Sequence, residues 1–227
     1  MNFQAVVFDL DGTLLDTLQD LADAVNFALN NNGLPTRPIS DVRRFVGNGI
    51  VNLMVRAMPG GEVHDTLTDI EGDDQRMAMH ARLMADFRMY YDAHCEDNTQ
   101  PYDGILSMLE RLKNAGIKIA VVSNKADFAV KKLIPAYFGD LVDVAAGEDE
   151  AHGIGKKPAP DMVLSALKQL GVTPDQAIYV GDSDVDIDTA ANAGMPCISV
   201  LWGFRSREFL VQHGATQLIE RPEELVV

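Results

Sequence analysis

Two carboxylates one residue apart, Asp9 and Asp11, stand at the abrupt end of the apolar run Ala5 to Phe8, and a glycine follows them. Alternate residues of a strand share a face, so acids at i and i+2 just past a strand end can aim at one point. In water such a pair repels; around a metal ion the repulsion turns into attraction. Other polar groups follow other apolar runs: Ser123, Asn124 and Lys125 after 117–122, and Gly181, Asp182, Ser183 and Asp186 after 177–180. Lys156 and Lys157, followed by Pro158, add cations. Acids, a hydroxyl and lysines of this kind make a metal and phosphate site. Magnesium favours hard oxygens at about 2.0–2.1 Å and keeps several waters, so two or three carboxylates suffice. Asp9 can be ligand and nucleophile together, attacking phosphorus to give an aspartyl phosphate. Asp11 can protonate the leaving alkoxide and later deprotonate the hydrolytic water. The Ser123 hydroxyl and neighbouring N–H groups, those of Gly12 and Asn124 among the candidates, can hold phosphoryl oxygens. A lysine offsets the charge of nucleophile and phosphate, each unit-charge pair at 4 Å being worth about 4 kcal/mol at an effective dielectric of 20.

The Asp-x-Asp-Gly string also occurs in calcium loops, but those need acids at further fixed positions and a closing Glu. Here Thr13, Leu14 and Leu15 follow, and a strand pattern precedes the acids where such a loop has a helix.

The elements that must position these groups can be read from periodicity. Leu18, Leu21, Ala22, Val25, Ala28 and Leu29 recur at helical spacing within 17–30, with Asp16 or Thr17 as cap and Asn32-Gly33 as stop. Helical patterns continue at 40–45, 49–57 and 75–91, with loops at 59–61 and 71–74 and no convincing strand. The methionines at 77, 79, 84 and 89 are expected to pack, and His64, His80, His94, His152 and His213 to lie at the surface. After Pro101 the pattern alternates: helices at 105–115, 127–135, 160–170 and 186–193, strands at 117–122, 141–146, 177–180 and 197–201. Strands alternating with helices predict an α/β fold, a Rossmann-like doubly wound parallel sheet. The first strand is separated from the rest by helices, so an α-helical domain is expected as an insert: 1–15 and 96–227 form the core, 16–95 the insert. Ligands of open parallel sheets bind beyond the carboxyl ends of the strands, where all the groups above fall.

Composition narrows the classes. The 227 residues are 47% apolar, enough for a full core. Two distant cysteines, Cys95 and Cys197, fit neither a disulfide framework nor a cysteine metal site. A net charge of −15 disfavours nucleic acid, and no apolar run reaches the length of a membrane span or follows a signal-peptide pattern. The expectation is a cytoplasmic protein with no nucleic-acid or membrane partner. The same charge would slow an anionic substrate, so local cations must overcome the field.

Asp9-Leu-Asp-Gly-Thr, Ser123, Lys157-Pro158 and Gly181-Asp-Ser-Asp-Val-Asp resemble, in order, the four motifs of the haloacid dehalogenase superfamily of phosphohydrolases. The resemblance implies Asp9 as nucleophile, Asp11 as general acid/base, Ser123 as phosphate binder and Lys157 as charge stabiliser, the lysine immediately before proline. It implies Mg2+ held by Asp9, Asp182 and the Asp11 backbone carbonyl, with Asp186 supporting Asp182 from behind. Ser183 and Asp184 read as turn and helix cap. Dehalogenases lack the second acid of the first motif, so Asp11 points to phosphoryl transfer. The helical insert resembles the family's C1 cap, which selects a small leaving group. Within it, Arg43-Arg44-Phe45-Val46-Gly47-Asn48-Gly49 either presents a cation and N–H groups to a small carboxylate, with Arg44, Asn48 and Gly49 as candidates, or is an ordinary corner with solvated arginines. With Val122-Ser-Asn-Lys125 and Trp202-Gly-Phe, this segment is similar to the phosphoglycolate phosphatase subgroup, with Ser123 for Thr and Phe204 for Tyr; Trp202 and Phe204 are expected to pack.

Three functions fit these residues. The first is a magnesium-dependent phosphatase of small phosphate monoesters, with 2-phosphoglycolate as the leading substrate and sugar phosphates or pyrophosphate as others. A beta-phosphoglucomutase-type phosphotransferase shares the motifs but returns phosphate to a sugar. A receiver-like phosphoacceptor module uses similar groups, but its phosphorylated Asp ends a later strand and it needs no helical insert.

Overall fold

The computed structural model describes residues 3–149 and 154–226; His152 lies outside the described residues. In chain order, β1 (Ala5–Phe8) and β2 (Leu15–Asp16) precede the helices α1 (Leu18–Asn31), α2 (Ile39–Phe45), α3 (Gly49–Ala57) and α4 (Asp74–His94). There follow β3 (Gln100–Pro101), α5 (Ile105–Asn114), β4 (Lys118–Ala126), α6 (Asp127–Phe138), β5 (Val144–Glu148) and α7 (Asp161–Leu170). β6 (Ala177–Gly181), α8 (Asp184–Ala193), β7 (Cys197–Val200), α9 (Arg207–Gln212) and β8 (Leu218–Ile219) complete the chain. Two compact units result, residues 1–16 with 100–227 and residues 17–99.

The first unit is a six-stranded parallel sheet in the order β5-β4-β1-β6-β7-β8. Its strands are apolar on both faces, because both are covered. Val6, Phe8, Ile119, Val121, Ile178 and Val180 face α5 and α6, packing on Leu109, Leu112, Val130 and Leu133. The alternate residues Ala5, Val7, Ala120, Val122, Ala177 and Tyr179 face α7 and α8, packing on Val163, Ala166, Leu167 and Ala190. Tyr179 is the one polar-tipped side chain among these strand residues. The order in which strands are added reverses at β1, with β4 and β5 on one side and β6 to β8 on the other. Such a reversal opens a crevice at the carboxyl edge.

The second unit is helical, with no strand among its described residues. In α4 the buried residues His80, Leu83, Met84, Phe87 and Tyr91 follow helical spacing. Asp73 caps it, accepting from Gln75 N and Arg76 N at 3.1 and 3.0 Å. Thr17 stands at the N-cap of α1 without a side-chain cap bond. Asp20, in the first turn, is turned instead to the far end of the unit. Its carboxylate accepts from Asn98 N and Nδ2, both 2.9 Å, and from Thr99 N and Oγ1 at 2.9 and 2.7 Å.

Several expectations shift. His80 is buried, its Nε2 3.0 Å from the Val51 carbonyl, so it is a core histidine and not a surface one. Met89 is exposed and does not pack. The strand expected at 141–146 begins at Val144, and β4 stays extended to Ala126, past the expected stop at Val122. The pair β2–β3, the helix α9 and the edge strand β8 were not expected; elements of two to six residues are too short for a periodicity to declare itself.

Candidate active site

Register brings the strand ends to one level. Phe8 pairs with Val121 of β4 and Val180 of β6, and Asp9 N donates to the Val180 carbonyl at 2.9 Å. Ser123 and Asp182 therefore each lie one residue beyond the level of Asp9, on either side of it. Asp9 and Asp182 follow the two strands that flank the reversal of chain order.

The centre of the site is Lys157. Its buried ammonium donates to Asp9 Oδ1 at 2.6 Å, to Asp186 Oδ1 at 2.8 Å and to the Tyr179 hydroxyl at 3.2 Å. Tyr179 Oη in turn donates to Asp186 Oδ1 at 3.0 Å. Asp186 Oδ2 accepts from Asp182 N at 3.1 Å and from Ser183 N and Oγ at 3.0 and 2.6 Å, while Ser183 Oγ accepts from Asp186 N at 3.4 Å and so caps α8. Asp186 thus has both oxygens committed. Asp182 accepts from Phe204 N at 2.6 Å through Oδ2 and from Thr13 Oγ1 at 3.4 Å through Oδ1.

Burial, and then the charge of Asp186, push the Asp9 carboxyl well above its usual range despite Lys157 beside it. The same two causes push Asp182 up to about 7, against the Phe204 N–H. Burial alone would lower Lys157, but Asp186 and Asp9 outweigh it and hold the ammonium firmly charged. Tyr179 is raised by burial and by Asp186, so it stays a hydroxyl.

Oxygens of Asp9, Asp182 and Asp186 lie within 4.8 Å of one another. When all three are ionised, three carboxylates against one ammonium leave a net negative charge that a divalent cation would offset. The donor set is all oxygen, which suits magnesium. Asp9 and Asp182 fit as ligands; Asp186 is occupied by its own five donors.

The residues singled out from sequence divide clearly. Asp9, Lys157, Asp182 and Asp186 come together. Asp11 does not join them through its side chain, which pairs with Lys125 Nζ at 2.9 and 3.3 Å. Ser123 is buried within β4, its Oγ accepting from Lys125 N at 3.2 Å. Two of the phosphate-binding candidates have partners of their own. Gly12 N–H donates to the Leu15 carbonyl at 2.9 Å, so what the position supplies is room: at φ +90°, a Cβ there would lie 2.6 Å from Asp182 Oδ2. The Asn124 side chain brackets the Lys157 backbone, accepting from its N at 2.7 Å and donating to its O at 3.0 Å. It therefore holds the lysine's loop. Arg44, Asn48 and Gly49 belong to the helical unit, where exposed Arg44 pairs with Asp41 at 2.6 Å and the Asn48 carbonyl accepts from Asn52 Nδ2 at 3.2 Å.

Reading by sequence overlooked Tyr179, Thr13 and the Phe204 N–H, and gave Lys125 no role. Phe204 and Trp202 do pack, but Trp202 Nε1 also donates to the Thr13 carbonyl at 2.9 Å. Only Lys125 carried a signal, two residues after Ser123 at a strand end.

A doubly wound parallel sheet with paired acids and a buried lysine at its carboxyl edge defines a phosphoryl-transfer class of enzyme. A family model described as haloacid dehalogenase-like hydrolase matches residues 6–200. The chain belongs to that family, and it is an enzyme, a phosphatase-type hydrolase. It is 33% identical over 231 residues to a phosphoglycolate phosphatase of Psychrobacter arcticus, covering 100% of this chain and 95% of the relative. It is 32% identical to phosphoglycolate phosphatase 1 of Pseudomonas aeruginosa, covering 97% and 78%. A crystal structure from Lactobacillus delbrueckii subsp. bulgaricus, provisionally described as a phosphoglycolate phosphatase, superposes with a TM-score of 0.88 at 37% identity, covering 99% and 97%. CbbY from Rhodobacter sphaeroides, solved in complex with phosphate, gives a TM-score of 0.68 at 25% identity, covering 98% and 96%. No helix among the described residues is long and apolar enough to cross a membrane.

Proposed function

We propose that this enzyme is a magnesium-dependent phosphatase of small phosphate monoesters that works through an aspartyl phosphate on Asp9, with 2-phosphoglycolate as substrate. The observation that carries the reading is the division of the two strand-end acids between two lysines. Asp9 faces Lys157 within the metal-fitting cluster, at 2.6 Å, while Asp11 stands on Lys125, at 2.9 Å. On this reading Asp9 attacks and Asp11 moves protons. The names of the relatives support the substrate.

In the first step a carboxylate oxygen of Asp9 bonds to phosphorus as the bond from phosphorus to the leaving oxygen breaks, and Asp11 gives that oxygen its proton. In the second, water loses a proton to Asp11 and attacks phosphorus, releasing inorganic phosphate and freeing Asp9. Lys157 opposes the charge that gathers on nucleophile and phosphoryl oxygens throughout, and Ser123 contributes a hydroxyl to those oxygens. Asp9, Asp182 and the Asp11 carbonyl would hold Mg2+, which would supply further positive charge at the phosphoryl group. The helical unit, residues 17–99, is proposed as the cap that selects the leaving group, with Arg44, Asn48 and Gly49 as its candidates.

The test is a phosphate-release screen across small phosphate esters with and without magnesium, beside Asp9→Asn. Magnesium-dependent release from 2-phosphoglycolate is expected, with turnover and phosphoenzyme abolished in the variant while its fold persists. Turnover that survives Asp9→Asn sinks the nucleophile assignment.

A further inference from the structure

The two lysines of the site are not equivalent. Lys157 serves Asp9 and Asp186, whereas Lys125 Nζ donates to both oxygens of Asp11, at 2.9 and 3.3 Å. This second pair is buried as well, the side chains being 3% and 15% exposed. A buried ion pair costs desolvation and is weak ground for stability, so its presence at a reactive acid calls for another reason.

The backbone that carries Lys125 is built irregularly. From Val122 to Ala126 β4 advances four residues while its partner β5 advances only two, from Ala146 to Glu148. In an unbroken strand Ser123 and Lys125 would share a face; extra residues in one strand re-aim side chains. The displaced segment is seated firmly. A Cβ at Gly147 would lie 2.6 Å from the Lys125 carbonyl oxygen and would overlap the Asp127 backbone. Gly147 N–H also donates to Asp127 Oδ1 at 3.0 Å. Close packing against a glycine thus fixes where the Lys125 side chain starts, and the side chain ends on Asp11.

We propose that Lys125 is the positioning residue for Asp11: its ammonium holds the Asp11 carboxyl group apart from the cluster of Asp9, Asp182 and Asp186, where it can serve the leaving oxygen. The proposal rests on the phosphatase reading above and adds a residue to it. Asp11 takes up a proton before the first step and passes it to the leaving oxygen as the bond from Asp9 to phosphorus forms and the ester bond breaks; its other oxygen still accepts from Lys125, and the ammonium keeps its own protons.

The test is a double-mutant cycle read in single-turnover phosphorylation of the magnesium-loaded enzyme. It pairs Lys125→Met with Asp11→Asn on two esters, 2-phosphoglycolate, whose alkoxide needs a proton to leave, and 4-nitrophenyl phosphate, whose phenolate barely does. A positioned general acid contributes about 10²-fold or more, so Lys125→Met should slow the alkyl ester by about that factor and the aryl ester by less than about 5-fold. In the Asp11→Asn background the lysine change should add less than about 3-fold, since residues acting as one unit are non-additive. Lys125→Gln, which keeps a polar side chain, gives the same cycle independently of how well methionine folds. Equal losses on both esters, or additive losses with Asp11→Asn, overturn the proposal. Wild-type enzyme inactive on both esters overturns the 2-phosphoglycolate reading on which the proposal rests and is told apart from the first case at once.

Discussion

Asp186→Asn is nominally conservative, and the structure predicts that it is not. Asp186 accepts on every side: Lys157 Nζ and Tyr179 Oη reach Oδ1, and Asp182 N, Ser183 N and Ser183 Oγ reach Oδ2. An asparagine has one acceptor end and one donor end, so its amide must point N–H groups at donors whichever way it turns. Turned toward Lys157, it forfeits a charge-assisted bond worth about 1.5–3 kcal/mol; turned the other way, it strands two buried backbone N–H groups at about 1–3 kcal/mol each. Against this stands relief, because the Asp186 charge is a cause of the raised Asp9 and Asp182 carboxyls. Relief operates only on ionised neighbours. At pH 6 Asp182, pushed up to about 7, is mostly protonated, so the lost bonds dominate there. Metal-free Asp186→Asn at pH 6 should lose about 3 kcal/mol, or about 1 M in urea midpoint for a slope of about 3 kcal/mol/M. The assay is built into the chain: Trp202 is its single tryptophan and lies in the sheet unit, with its indole on the Thr13 carbonyl at 2.9 Å. Urea unfolding followed by that fluorescence at pH 6 reads the unit that holds the site. An unchanged or raised midpoint would refute the reasoning and mean that repulsion among the acids outweighs their hydrogen bonds.

Two further outcomes follow from the same structure. Asp182 is raised from 3.8 to about 7 in the folded state, so its contribution to stability is fully present below pH 3.8 and is lost as pH rises through 7. With EDTA the melting temperature should fall between pH 5.5 and 8, and millimolar Mg2+ should restore more of it at pH 8, because proton and cation compete for the carboxylate; a magnesium shift as large at pH 5.5 contradicts this. Asp20→Ala should strip four donors of their acceptor in the helical unit, at about 3 kcal/mol or more. Hydrogen exchange should then quicken at the amides of Asn98 and Thr99, and unchanged protection at both would dismiss the clamp.

The strand-end acids and their order along the chain were legible because alternation and apolar runs mark strands, and parallel sheets gather chemistry at one edge. Asp9, Lys157, Asp182 and Asp186 converge for that reason. What stayed hidden was of another kind. Tyr179 looks like any aromatic in a buried strand, and only packing shows its hydroxyl between Lys157 and Asp186. The Phe204 N–H is a backbone donor, which no residue type announces. Lys125 owes its aim to a register shift against β5, and sequence periodicity does not display where a ladder slips. Asn124 and Gly12 were noticed for the right place, but their partners, the Lys157 backbone and the Leu15 carbonyl, are set by tertiary geometry.

The pair β2–β3 joins Leu15 to Pro101 and Asp16 to Gln100, so the chain leaves the sheet unit and returns to it at adjacent positions. Asp20, a few residues on, is tied to Asn98 and Thr99. In polymer terms the whole helical excursion is short-circuited: once Asp20 holds Thr99, the loop left to close spans only the residues between that clamp and the ladder. Even without the clamp, doubling such a loop adds only about 0.6 kcal/mol of closure entropy. The helices between 20 and 98 can therefore lengthen, shorten or be exchanged at little thermodynamic cost to the sheet. Insertions there vary the helical unit and leave the strand-end residues of the sheet where they are.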